Sequence, residues 1–128
     1  MEGVEIIKLK LVKKDARGST FQFDNRNSSK LLLAKRKKGS VSGRHFHTGK
    51  SRMKNPETMV IIDGKFQIVL KNVKTGEQFR KTCASPVMFK IDPYIYHEVR
   101  ALTDILLIDM NAINDDKGDT VRGFPARN

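Results

Sequence analysis

Apolar and polar residues alternate with a period of two along most of the chain. From Glu5 to Val12, Ile7, Leu9 and Leu11 oppose Lys8 and Lys10, the pattern of a half-buried strand. Phe21 and Phe23 share one face of a short strand after the Arg17-Gly18 turn. Leu31 to Ala34 is an apolar run of buried type that becomes basic and ends at Gly39. Thr58 to Ile62 is apolar and β-branched, and Asp63-Gly64 then predicts a hairpin. Phe66, Ile68 and Leu70 alternate with Lys65, Gln67 and Lys71, and the segment Asn72 to Gly76 makes the next turn. Strands follow around Phe79, over Val87 to Ile91, over Ile95 to Val99 and over Ile105 to Met110. No stretch holds a helical period over two turns. Short strands separated by turn signals predict an all-β fold, an antiparallel sandwich or barrel.

At 128 residues the chain is expected to form one domain, 1–128, with a barrel core over about 30–111. The tail, 114–128, is polar and Gly-containing, and is expected to be peripheral with mobile terminal residues. No apolar run approaches the ~18 residues of a membrane span. Met1 to Glu5 lacks the charged and apolar regions of a signal peptide. Cys83 is the only cysteine, so no internal disulfide is expected and the thiol reads as a small buried hydrophobe. A cytoplasmic location is the expectation.

Charge narrows the partners. The net charge is +11, concentrated in Lys35-Arg36-Lys37-Lys38 and in Lys50, Arg52 and Lys54. Such a balance favours anionic partners. Nucleic acid is not expected: tryptophan is absent, and aromatic residues do not interleave with the basic runs as a stacking platform requires. An anionic small-molecule ligand remains.

The candidate chemistry lies in the histidines, of which there are three. His45 and His47 are two apart on a strand pattern, so both can point to one face. His97 lies in Ile91-Asp92-Pro93-Tyr94-Ile95-Tyr96-His97-Glu98, where Tyr94 and Tyr96 alternate to the opposite face. Glu57 opens the apolar run after Pro56. Three imidazoles and a carboxylate suit Fe(II), Mn(II), Ni(II), Co(II) or Zn(II), and ligand identity does not choose among them.

The motif Gly-x5-His-x-His followed by Glu-x6-Gly resembles the first motif of the cupin superfamily. It falls on Gly39, His45, His47, Glu57 and Gly64. Ile91 to Glu98 resembles the second. The resemblance implies a double-stranded β-helix, or jelly-roll, barrel, and a divalent metal held by His45, His47, Glu57 and His97. Nine residues separate His47 from Glu57, more than is usual in the family. The lengthened loop Thr48 to Pro56 predicts a basic rim of Lys50, Arg52 and Lys54, with Arg44 nearby, for an anionic ligand.

Within the superfamily the chain resembles small cupins of deoxysugar and surface-polysaccharide metabolism. Asp15 to Phe21 and Gly39 to Phe46 are similar to segments of dTDP-sugar 3,5-epimerases and 3,4-ketoisomerases. By that likeness His45 would be a general base, in enzymes that work without metal and do not need Glu57. Ser42 stands where those enzymes carry arginine, and their tyrosine position falls among Leu32, Leu33 and Ala34. Three readings follow. One is a metal-binding cupin for an anionic small molecule such as a sugar nucleotide or carbohydrate acid, with isomerase, epimerase or oxygenase chemistry. Another is a metal-independent epimerase or ketoisomerase using His45. The third is a noncatalytic binding module. A homodimer using the segment Glu5 to Val12 is also expected.

Overall fold

The computed structural model of the protein describes residues 1–123; the expected mobile residues at the chain end, 124–128, lie outside the described residues. Twelve strands occur in chain order. They are β1 (Val4–Lys8), β2 (Lys10–Asp15), β3 (Gly18–Gln22), β4 (Leu32–Arg36), β5 (Val41–His47) and β6 (Glu57–Asp63). The others are β7 (Lys65–Asn72), β8 (Gln78–Ala84), β9 (Val87–Ile91), β10 (Ile95–Ala101), β11 (Ile105–Asp109) and β12 (Thr120–Arg122). Two short 3-10 turns, Arg52–Lys54 and Ile113–Asp116, are the only helical elements among the described residues. None is long and apolar enough to cross a membrane.

Two five-stranded sheets face each other, in the orders β1-β9-β6-β11-β4 and β12-β5-β10-β7-β8. Every paired strand runs antiparallel. From β4 onward the chain crosses between sheets at nearly every connection, which produces the jelly roll that the alternating pattern and the two motifs predict. The inward faces meet in one apolar core that includes Ile61, Phe66, Ile68, Leu70, Phe89 and Val99. These are the apolar positions of the period-two pattern, so burial rather than backbone preference sets the register.

Four local expectations are corrected. The strand predicted over Glu5 to Val12 breaks at Leu9, which is buried with Val60, Met88 and Met110 in a second apolar cluster, while β2 leaves to form a separate hairpin with β3. Leu31 to Ala34 is not a buried run: β4 is a sheet edge, and Leu31 and Leu33 are exposed. Asp63-Gly64 is not a hairpin, because β6 and β7 lie in different sheets; it is the corner between them. Gly64 has φ +101°, and a Cβ there would stand 2.3 Å from the Asp104 carbonyl oxygen. The glycine serves close backbone approach at the corner rather than a two-residue turn. The tail is not peripheral up to Arg122. Ile113–Asp116 packs against the Arg52–Lys54 turn, β12 folds back on β5, and Asp119 is buried at 1% exposure.

Gly64→Ala should therefore destabilise the fold by about 2 kcal/mol, from overpacking against backbone and a strained φ together. Denaturant unfolding should show a lowered midpoint with an unchanged slope; an unaltered midpoint would mean that the corner gives way freely.

Candidate metal centre

β5 lies between β10 and β12, and the cross-strand register builds the centre. His45 pairs with His97 on β10 and with Arg122 on β12, while His47 pairs with Thr120. The β5–β10 ladder slips by one residue between His97 and Glu98. Gly43 makes that approach possible: it has φ +86°, and a Cβ there would sit 2.6 Å from the His97 carbonyl oxygen. Glu57 enters from β6 of the facing sheet. The four donor atoms of His45, His47, Glu57 and His97 all lie within 4.8 Å of one another. Metal–ligand bonds of about 2.0–2.2 Å place opposing ligands about 4 Å apart, so small side-chain shifts close the set around one ion. This group could hold a divalent metal.

The supporting contacts orient the rings. His47 Nε2 and His97 Nε2 each lie 3.0 Å from Glu57 Oε2. His97 Nδ1 donates to the Ile95 carbonyl at 3.0 Å, and His47 Nδ1 meets Thr120 Oγ1 at 3.1 Å. Occupied Nδ1 atoms leave the Nε2 atoms to face the centre, the usual support of metal-bound histidines. The second carboxylate oxygen, Glu57 Oε1, accepts from Lys54 Nζ at 3.3 Å. Lys54 is 1% exposed and also meets Asn111 Oδ1 at 3.1 Å and Asp116 Oδ1 at 3.3 Å, with Asp109 Oδ2 at 3.8 Å.

Electrostatics follow from these contacts. Burial opposes the Glu57 charge, but His97, His47 and Lys54 outweigh it and hold the carboxyl well below its usual range. Burial likewise opposes a charged His97, yet Glu57 wins and raises its pKa. His45 moves the other way, down to about 3, through burial first and then the positive His97. Burial and the neighbouring Glu57 push Asp109 well above the ordinary carboxylate range. In the metal-free centre these contacts favour the charged forms of both Glu57 and His97.

The loop Thr48 to Pro56 is held from two sides. Asp119 accepts from the backbone N–H of Thr48, Gly49, Lys50 and Ser51 and from the Thr48 hydroxyl, at 2.6–3.2 Å. Arg26 donates to the carbonyls of Arg52, Met53 and Pro56 and to Thr58 Oγ1. The expected basic rim is corrected accordingly. Lys54 points inward, because the 3-10 turn aims it at Glu57 and the acidic residues around it. Lys50, Arg52 and Arg44 are exposed, and none of them lines the cavity at the centre. Sequence reasoning missed Arg36, Asp109, Asn111, Asp116, Thr120 and Arg122, whose roles depend on pairing between distant strands. Tyr96 is buried and donates to Glu98 Oε1 at 2.5 Å, away from the centre as alternation predicts. Cys83 is buried, as a lone structural thiol should be.

The metal-free protein should lose stability as pH rises above 6.5. The raised His97 pKa contributes fully below the unfolded value of 6.5 and is lost as pH climbs through the folded value. Above 6.5 His45 is neutral in both states, since its folded pKa is lowered to about 3. The slope should shrink in His97→Gln, the remainder coming from Asp109, whose raised pKa has the same sign. Thermal melts of chelator-treated protein that are flat or rising over that range would contradict the charge assignment.

Comparison with known proteins gives a likeness of fold. No protein-family model matches the chain, and no curated protein does. Solved structures do. A sugar 3,4-ketoisomerase from Thermoanaerobacterium thermosaccharolyticum, in complex with TDP, superposes with TM-score 0.72 at 19% identity, over 97% of this chain and 90% of that one. A dTDP-4-dehydrorhamnose 3,5-epimerase from Sulfolobus tokodaii gives 0.66 at 20%, over 98% and 74%. A 4-keto-6-deoxy sugar epimerase from the novobiocin cluster of Streptomyces spheroides gives 0.72 at 18%, over 97% and 70%. The fold of this chain is therefore the cupin jelly-roll barrel that these sugar epimerases and ketoisomerases have.

Proposed function

We propose that the protein is a metal-binding cupin that binds or transforms an anionic small molecule at the centre formed by His45, His47, Glu57 and His97. The observation that carries this reading is the convergence of four donor atoms from three strands within 4.8 Å, with Glu57 only 3% exposed. A buried carboxylate among three imidazoles is costly unless charge-compensated, and a divalent cation satisfies all four groups at once. When bound, the ion would supply Lewis acidity toward a carbonyl or hydroxyl oxygen. The chain's own groups do the positioning. Thr120 and the Ile95 carbonyl hold two rings, and Lys54 holds one oxygen of Glu57, leaving the other toward the histidines.

A second reading has its own support: the solved structures of like fold named above are sugar epimerases and a sugar ketoisomerase. On that reading His45 abstracts a proton beside a sugar carbonyl, without metal. The His45 pKa of about 3 makes the ring a weak base at neutral pH. Leu32, Leu33 and Ala34 offer no phenol on the neighbouring strand.

Metal analysis separates the two. Untagged protein from metal-replete cells should carry close to one divalent ion per chain, and His97→Ala should lower the affinity by about 10–100-fold or more. Metal-free wild type that turns over a 4-keto sugar nucleotide would establish the second reading instead.

A twofold dimer is part of the proposal. The β2–β3 hairpin stands off the barrel with Leu11, Val12, Phe21 and Phe23 exposed, an apolar surface suited to a second copy. Light scattering should give twice the chain mass at micromolar concentration, and Leu11→Glu with Phe21→Glu should give monomer. A wild-type monomer would remove the dimer.

A further inference from the structure

A cavity of about 260 Å³ opens directly onto the centre, with His45, Glu57 and His97 among its walls. Leu32, Met59, Val99 and Leu107 supply apolar surface. Two guanidinium-bearing residues, Arg36 and Arg122, and two acidic residues, Asp109 and Asp116, supply polar groups. The volume lies below the roughly 300–1,000 Å³ of sites for drug-sized ligands. Its occupant is small.

Two details identify what that occupant carries. Among the described residues, Asp109 Oδ1 is buried with no donor group against it, and its carboxyl lies beside that of Glu57. A buried oxygen without a partner costs free energy, and a ligand hydroxyl, which both donates and accepts, would supply one. The other detail is Arg122, whose Nη1 donates to His45 Nδ1 at 3.3 Å. Guanidinium has no lone pair to offer, so Nδ1 must be the acceptor. A neutral imidazole has a single ring lone pair. His45 can spend it on Arg122 or on a metal ion, not on both. Metal loading therefore releases the Arg122 guanidinium beside the cavity, where it needs a new acceptor. Arg36 is held in place by donation from Nε to Ser42 Oγ at 2.9 Å, with Ser42 itself on the cavity wall. Arg36 Nη1 also donates to the Lys35 carbonyl at 3.2 Å, which leaves Arg36 Nη2 and the Arg122 guanidinium for a carboxylate.

We propose that this cavity is the subsite for a small hydroxylated carboxylic acid, no larger than a monosaccharide acid, with Arg122 and Arg36 on its carboxylate and Asp109 on a hydroxyl. The proposal rests on the metal-centre reading and sharpens it: the wall groups beside the metal ligands suit a monosaccharide-sized acid. The basic pair selects charge, and the orphaned oxygen selects a hydroxyl within reach of the centre.

The test is calorimetric titration of metal-loaded protein with D-gluconate, D-glucose and TDP-glucose. Gluconate should bind at least about tenfold more tightly than glucose, and Arg36→Gln and Arg122→Gln should each weaken it by about tenfold. Both variants should keep their metal, because neither residue is a ligand. Gluconate should bind more weakly to chelator-treated protein, in which Arg122 is committed to His45. Should Arg122→Gln fail to fold, Arg36→Gln decides. Equal binding of acid and neutral sugar, no binding of either, preference for TDP-glucose, or variants that bind gluconate like wild type would each overturn the subsite. Absence of metal from replete protein would instead sink the metal-centre reading. The subsite would then be judged by the same titrations on the metal-free protein, where indifference to ligand charge overturns it.

Discussion

The structure depends on keeping one buried carboxylate charged. Glu57 stands at the head of β6, 3% exposed, and an isolated carboxylate there would be neutralised or excluded. One oxygen faces His47 and His97 and the other faces Lys54. These two sets of contacts compensate the charge from opposite sides. Removing Lys54 would take the ammonium from among Glu57, Asp109 and Asp116, and removing Glu57 would take from the buried ammonium one of its carboxylate partners. Breaking one partner of such a pair costs far more than the pair itself contributes.

Much of the remaining architecture positions those partners. Lys54 reaches Glu57, three residues on, because the loop Thr48 to Pro56 is pinned: Arg26 gathers the carbonyls of Arg52, Met53 and Pro56 while Asp119 gathers the amides of Thr48 to Ser51. The amide cluster behaves as a small anion site already filled by a carboxylate of the same chain. Asp119 belongs to the segment that also delivers Thr120 to His47 and Arg122 to His45. The carboxy-terminal strand is therefore part of the centre. It couples the rings of β5 to the loop before β6, so that His45, His47 and the approach to Glu57 are held by residues far downstream.

A shared barrel does not by itself fix the chemistry at its centre. In the compared proteins the fold is shared at about one identity in five, and a fold shared at that level does not carry an active site with it. In this barrel Glu57 and Lys54 form a buried, compensated pair, and β4 carries Leu32, Leu33 and Ala34. The cavity is narrow and bounded by arginines from both sheets.

The sequence by itself determined the fold class and the four converging donors. Period-two alternation specifies which face each strand buries, and that physical signal is local, so Phe66, Ile68, Leu70 and the β10 residues could be assigned inward without a structure. Spacing of two placed His45 and His47 together, and the two motifs identified Glu57 and His97. Local signals failed where the answer lay in a distant strand. Asp63-Gly64 has the composition of a hairpin, but the sheet to which β7 pairs makes it a corner. Leu31 and Leu33 read as buried until β4 is seen to be an edge. Lys54 reads as a surface charge because lysine usually is one, and only the closing of the barrel sets three acidic side chains around it. Arg122 and Asp119 carry no signal at all in a polar tail; their roles arise from cross-strand register, which depends on tertiary pairing rather than on neighbouring residues.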